Sequence, residues 1–356
     1  MSAITVLVLF FAILGAIDKL LGDKFGLGKE FERGFNLFTP MVLSMLGILV
    51  LAPAAGVWLA PVFDGFYSLF HLDPSIIPAA LFANDMGGMT LSQTICKDPA
   101  VGGFNAFVVS SMLGCTISFT IPFAIGIVKT VQHRELFFGL LCGIVTVPAG
   151  CFVAGLLCGL PVTAIVLDLL PLLIISTLIA AGLLLIPNLC IKLFVLFGNL
   201  MRAVALLGLI FAIFTFLTKI PIHEHFDTLE NTAFICVNAT VTLCGTLPMM
   251  YLVTKLLRRQ MERLGTKLGL DTVSSVSFLT TLVTNAPTFS VMEKMNKKGT
   301  VLNAAFAVSA GFSFGGHLAL TMTFDSAYVL PMIVGKLISG ICAVALALLL
   351  YKENKL

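Results

Sequence analysis

Stretches of about twenty apolar residues follow one another from one end of this chain to the other, and a helix needs about that many to cross a bilayer's hydrocarbon core. Eleven such segments can be drawn, at 3–21, 37–62, 74–95, 104–128, 136–159, 162–186, 190–218, 231–257, 272–292, 301–323 and 328–351. Only 11% of the residues are charged, against about 25% in an ordinary soluble domain. No stretch between segments is long enough to form such a domain, so the chain reads as an all-α polytopic membrane protein. The first segment lacks a basic leader and a small-residue cleavage site, which makes it a retained helix and not a signal peptide. The net charge of +3 says little about partners when most of the surface faces lipid. The nine cysteines are an odd number, most of them in apolar segments and none in a Cys-x-x-Cys pair. They read as small hydrophobes, with no disulfide or metal framework implied.

The sequence repeats itself at an offset of about 200 residues. "HLDPSIIPAALFANDMGG" from His71 resembles "GLDTVSSVSFLTTLVTNAPT" from Gly269: each has Leu-Asp, an apolar run, then an Asn beside a helix-breaking residue. "NAFVVSS" from Asn105 resembles "NAAFAVSA" from Asn303, and "FGLLCGIV" from Phe138 loosely resembles "VGKLISGIC" from Val334. The same order at one offset predicts repeat one over 1–160, a connecting helix over 161–188 and repeat two over 189–356, all within a single transport-type domain.

Positive charge bears on how many segments cross, because cytoplasmic loops concentrate Lys and Arg. If all eleven span, eleven basic residues fall on one side and eight on the other, which gives no orientation. If 74–95 and 272–292 enter and leave on the same side, only Lys97 and Lys219 fall outside. The other seventeen loop and tail charges, Lys352 and Lys355 among them, then fall together. The expected architecture therefore has nine crossings, the N-terminus outside and the C-terminus in the cytoplasm. Five crossings up to the start of repeat two make the two five-segment repeats inverted, with 74–95 and 272–292 as re-entrant or broken segments. Inverted repeats with interrupted helices near the midplane are common in secondary transporters. Irregular backbone at that depth survives only in protein or against water, so the two broken segments are expected to meet at a polar cavity.

Within that cavity Asp85 is the foremost candidate. A carboxylate at the bilayer centre costs about 2.5–3.5 kcal/mol on insertion scales and normally faces a cavity or a partner. It reads as a counter-charge for a cation or as a proton-coupling acid. The alternatives are a tether to Lys336 or Arg202, or a cap on a half-helix N-terminus. Asn84 and its counterpart Asn285, with Thr284 beside it, stand at the two breaks, to bind substrate or to satisfy freed backbone groups. His317, in "SAGFSFGGHLALTMTFD" (309–325), can donate to a hydroxyl or carry a proton, or pack as an ordinary core histidine. Gly311, Gly315 and Gly316 around it permit close helix approach, and Ser309 can hydrogen-bond across that interface. Ser110 lies in the matching stretch of repeat one. Phe289, Phe312 and Phe314 offer faces to a cation. "IHEHFD" (222–227) resembles a metal motif, but His223 and His225 are too close for a helical His-x-x-x-His pair. "KLLRRQMER" (255–263) is a basic run that fits anionic lipid headgroups, not nucleic acid.

Five stretches taken together resemble the bacterial ethanolamine-utilisation transporter (ethanolamine permease) family: "NDMGG" (84–88), "LCGIVTVPAGC" (141–151), "TNAPTFSVMEKMNKKG" (284–299), "FGGHLALTMTFD" (314–325) and "MIVGKLISGICAV" (332–344). The resemblance implies import of ethanolamine across the cytoplasmic membrane of a bacterium, without a cofactor. A primary amine is mostly protonated at neutral pH, so its site needs an acceptor for the ammonium and hydrogen-bonding groups for the hydroxyl. Asp85, Asn84, Asn285, Thr284, His317, Ser110 and Ser309 carry that chemistry. A transporter of the same architecture for another polar or anionic solute is the alternative. An intramembrane enzyme is a distant third, since the chain holds no His-Glu-x-x-His and no obvious second acid opposite Asp85. Packing glycines serve contacts within and between subunits alike, so a homo-oligomer stays open, while the lipid bilayer is the implied surrounding.

Overall fold

Inside a bilayer the backbone must satisfy its own hydrogen bonds, and long apolar runs do so as helices. The computed structural model describes residues 3–351, and among these it contains helices and no strand. Lys352 and Lys355 of the charge count lie outside the described residues. In chain order come α1 (Ala3–Leu20) and α2 (Leu27–Phe70), the short pieces α3 (Ile76–Leu81) and α4 (Gly88–Ile95), then α5 (Pro99–Ile127), α6 (Thr130–Leu157) and α7 (Val162–Leu185). These are followed by α8 (Pro187–Thr218), α9 (Leu229–Lys267), the pieces α10 (Thr272–Thr281) and α11 (Asn285–Ser290), then α12 (Lys297–Ala310), α13 (Gly316–Phe324) and α14 (Ser326–Leu350). Eight of the described helices, α1, α2, α5 to α9 and α14, are long and apolar enough to cross a membrane.

Polarity is turned inside out relative to a soluble protein. Leu167, Leu170, Ile174 and Leu178 of α7 and Leu196, Leu207 and Ile210 of α8 face outwards. Asn84, Asn105, Asn285, Asn303, His317 and Lys336 are buried. Water would reverse both preferences, whereas lipid favours them. α6, α12 and α14 pack together on one side, while α9 packs against α1 and the start of α2.

Both segments with an unusual charge pattern are interrupted. α3 ends where Phe82 and Ala83 turn extended, and Gly87 takes a φ of +90°, which L side chains rarely adopt. α10 gives way to α11 at Thr284, which is also extended. In each case one aspartate ties the two ends of the segment together. Asp73 Oδ2 accepts the backbone N–H groups of Lys97 and Asp98, both at 2.9 Å. Asp271 Oδ2 accepts the N–H of Asn296 at 2.7 Å, and its Oδ1 that of Ser274 at 2.8 Å. Asp98 and Asn296 then cap the helices that follow, α5 through Ala100 N and α12 through Gly299 N. The chain thus leaves and returns to the same place twice, at positions matched by the sequence repeat. A straight helix over 74–95 would instead separate its ends by about 30 Å.

A third interruption was not expected. The glycines at 311–316 read as close-packing residues, but Gly311 to Gly315 leave the helix altogether, and Phe312 adopts a φ of +61°. The backbone freed there is bonded to the break beside α10: Phe312 N donates to Thr281 O at 3.2 Å and Phe314 N to Leu282 O at 2.8 Å.

Burial pushes the Asp271 carboxyl up, but hydrogen bonds from Asn296 and Ser274 outweigh it and hold it below the ordinary carboxylate range. Its contribution is therefore present above the unfolded value near pH 4 and is lost as pH falls through the lower folded one. Asp271→Asn is expected to cost about 1 kcal/mol at pH 7 after solvent screening. Thermal melting in detergent should show that difference shrinking as the pH drops below about 4.

Candidate functional site

The three interruptions converge on one cavity of about 190 Å³. Asp85 reaches it from the first break, Val283 and Thr284 from the second, and Phe312, Gly315 and Gly316 from the third. Met41, Met45 and Leu247 supply apolar wall from α2 and α9. The first break is held in place from α5, whose Ser118 Oγ accepts the N–H of Ala83 at 2.9 Å. In that region α5 widens into π-helix, over Asn105–Gly114 and Thr116–Thr120, a distortion found frequently at functional sites.

Apart from its own backbone N–H, the Asp85 carboxylate has no hydrogen-bond or ion-pair partner among the described residues, although Lys336 lies near enough to act on it through space. Lys336 is fully buried and is already engaged. Its ammonium donates to Ser111 O and meets His317 Nδ1 at 3.1 Å. Arg202 is farther off, lining a separate groove with Ser118, Phe119 and Asn199. Neither cation tethers Asp85, so its half-buried carboxylate lines the cavity without a partner from another described residue. Such a group is costly unless something answers it.

The other sequence-derived candidates mostly form the wall behind the cavity. Thr284 lines it directly. Asn84 Oδ1 accepts the N–H of Asp85 at 2.9 Å. Asn285 donates through Nδ2 to Thr120 Oγ1 and to Ala307 O, both at 3.2 Å, joining the second break to α5 and α12. The ring of His317 lies 5.0 Å from that of Phe312, which lines the cavity, whereas His317 itself does not. Ser309 accepts from Ser339 Oγ at 2.7 Å, and Ser110 bonds to Ala106 O in its own helix. Lys336 was missing from the sequence-derived set. Its signal is a lone lysine within the apolar "MIVGKLISGICAV", and its role shows only in the partners it meets.

A neighbouring cavity of about 180 Å³ shares Arg33, Leu247, Val283 and Thr284 with the first. It continues past Glu30, Tyr251 and Thr254 towards the basic end of α9. Arg33, at the junction, is paired with Glu30 at 3.2 Å. His223 of "IHEHFD" packs its ring on Trp58 and Phe226 instead of joining a ligand cluster.

The family model for ethanolamine utilisation protein EutH matches residues 1–350. The chain belongs to the EutH family. It is 37% identical over 350 residues to a Listeria monocytogenes protein named "Probable ethanolamine permease EutH", covering 98% of this chain and 93% of that one. Proteins of the same name from Salmonella typhimurium and Escherichia coli are each 33% identical over 386 residues, covering 98% of this chain and 95% of theirs. No solved structure matches it. With its eight apolar helices, this EutH-family chain is a multi-pass protein of the bacterial cytoplasmic membrane.

Glycine chemistry gives a paired check on the convergence of the breaks. A Cβ on Gly315 would collide with the carbonyl oxygen of Val283, whereas one on Gly316 would meet nothing. Gly315→Ala should lose about 1–3 kcal/mol to overpacking and melt several degrees lower in detergent. Gly316→Ala should melt like the parent protein.

Proposed function

We propose that this EutH-family protein is a transporter that imports ethanolamine, as its ammonium, across the cytoplasmic membrane. Asp85 is the counter-charge and Thr284 a hydrogen-bonding partner for the hydroxyl. Asn84, Asn285, His317, Ser110 and Ser309, together with Lys336, hold the wall that positions them. One observation carries this reading: the Asp85 carboxylate lines the cavity and, among the described residues, no other residue donates to it or forms an ion pair with it. A primary ammonium brings both the positive charge and the N–H donors that this group lacks. Family membership and the names of the bacterial relatives favour the same substrate.

The architecture we infer is a single domain of two inverted repeats, 1–160 and 189–356, joined by α7. Segments 74–95 and 272–292 are re-entrant hairpins from opposite faces, and α12 with α13 makes the ninth crossing. The ties at Asp73 and Asp271 support the hairpins, and the excess of Lys and Arg on one side supports their orientation. The lower cavity past Tyr251 then leads to the cytoplasm, and the hairpin tip bearing Asp85 closes the outer side. Alternating access follows when the outer hairpin opens as that inner path shuts.

Two experiments test this. In proteoliposomes, acid outside keeps the amine charged and suppresses leakage of its neutral form. Labelled ethanolamine uptake there should exceed that of empty vesicles, and Asp85→Asn should reduce it at least tenfold while still inserting. Uptake at the parent rate by that variant would remove Asp85 from the site. Single cysteines at positions 97 and 219 of a cysteine-free protein should react with an impermeant reagent only from outside. Reaction from the cytoplasm at both positions would refute the hairpin topology.

A further inference from the structure

At the root of the first hairpin lies another cavity, of about 230 Å³, between Asp73, Lys97, Asp98 and Asp168. Its carboxylates are not equivalent. Asp73 uses both oxygens on backbone N–H groups, of Ser75, Lys97 and Asp98. Asp98 caps α5 through Ala100 N. Asp168, on α7, is 4% exposed. Its Oδ1 accepts from Asn105 Nδ2 at 2.9 Å, while its Oδ2 is buried without a partner. Asn105 Nδ2 also donates to Ser75 Oγ at 2.9 Å, and its Oδ1 is likewise buried without a partner. Each member of this hydrogen-bonded pair thus keeps one buried oxygen without a partner, and Asp168 lines the cavity while Asn105 stands behind it.

The fold itself does not require this carboxylate. Asn303 occupies the matching place at the second hairpin root and donates to Ser274 O and Gly299 O, both at 3.0 Å. Its Oδ1 is also bare, but among the described residues its amide bonds to backbone carbonyls and to no acid. Backbone carbonyls thus suffice to hold such an asparagine. The nearest competing cation, Lys97, has its ammonium on Asp64. A buried carboxylate oxygen with no donor is costly unless a cation answers it, and small hard cations are held by oxygen ligands of this kind.

We propose that Asp168 and Asn105 form a second cation site, at the root of the first hairpin, for a small monovalent cation: sodium or a primary ammonium. The ammonium source rests on the transport reading above, whereas the sodium source does not. The site is separate from the Asp85 cavity, and α7 contributes its charge from outside both repeats.

The test is thermal melting of the purified full-length protein in detergent, in an Asp85→Asn background that removes the central site. Sodium chloride, ethanolammonium chloride and bulky N-methylglucamine chloride are compared at equal ionic strength. Either of the first two is expected to raise the melting temperature over the third in a saturable way, and the cation that does so identifies the source. Adding Asp168→Asn should weaken the apparent affinity at least tenfold. Because that variant removes a buried charge and can disturb folding, Ala164→Leu provides a second arm. It fills the cavity wall one turn away, leaves the carboxylate in place, and should weaken the same response. No response to either cation in the Asp85→Asn protein, or an unchanged response with Asp168→Asn, overturns the proposal. A sodium response that depends on Asp168 in a protein that fails to take up ethanolamine sustains this site and rejects the transport reading.

Discussion

A peptide group that leaves a helix at membrane depth finds no water to bond, and each unmet group costs several kcal/mol. The three interruptions meet this constraint in different ways. At the first, the N–H of Ala83 goes to the Ser118 hydroxyl, and Ala83 O collects the N–H groups of Met86 and Gly88. The second and third are stitched to each other through Phe312 N and Phe314 N. Irregular backbone can be tolerated only where such partners exist, so all three breaks are drawn into the interior and placed around one cavity. The glycines follow from this arrangement. Gly87 supplies the left-handed φ, and Gly315 lets one break lie directly on another.

The same accounting separates the polar groups that join helices from Asp85 in the central cavity. Ser339 donates to Ser309 and Thr146 O, Thr116 reaches Val308 O, and Asn285 bridges to Thr120. These bonds join helices that lipid would otherwise leave with only van der Waals packing. Lys336 belongs with them, since the Ser111 carbonyl and His317 hold its ammonium in the core. Asp85 differs because its carboxylate draws on none of these donors and faces open space.

Much of this was legible in the sequence, and the failures have physical causes. The two interrupted segments could be read because each carries an Asn beside a helix-breaking residue. Asp73 and Asp271 were visible as a repeated Leu-Asp, although their task of tying the ends of each interrupted segment depends on a backbone more than twenty residues away. The start of α2 at Leu27 was missed because "LGKEFERGFN" is charged and amphipathic, which hides it from a hydropathy reading. The break at 311–315 was missed because glycines in an apolar run look alike whether they pack helices or end them. Asn84, Asn285 and His317 carry plausible ligand chemistry, but Asn84 Oδ1, Asn285 Nδ2 and His317 Nδ1 are engaged by neighbours that no spacing rule reveals, while Asn84 Nδ2 and Asn285 Oδ1 are buried without a partner.

Lys336 also sharpens what the cavity can recognise. Its side chain ends in a primary ammonium, the same group that ethanolamine presents. The core accommodates that group with a backbone carbonyl and an imidazole nitrogen, so the acceptors nearest Lys336 are already filled. A second ammonium entering the cavity must find another acceptor, and Asp85 is the carboxylate lining that space. Repulsion from Lys336 would weaken the binding of a cation if Asp85 were absent, and with Asp85 ionised the pair of charges nearly cancels. Asp85 and Lys336 form no direct ion pair among the described residues, and on the proposed reading a bound ammonium would give Asp85 the direct partner it lacks. On the proposed transport reading, a neutral solute of the same size would gain hydrogen bonds there but no charge, which would make discrimination between the ammonium and its isosteres a property of Asp85 more than of the cavity's shape.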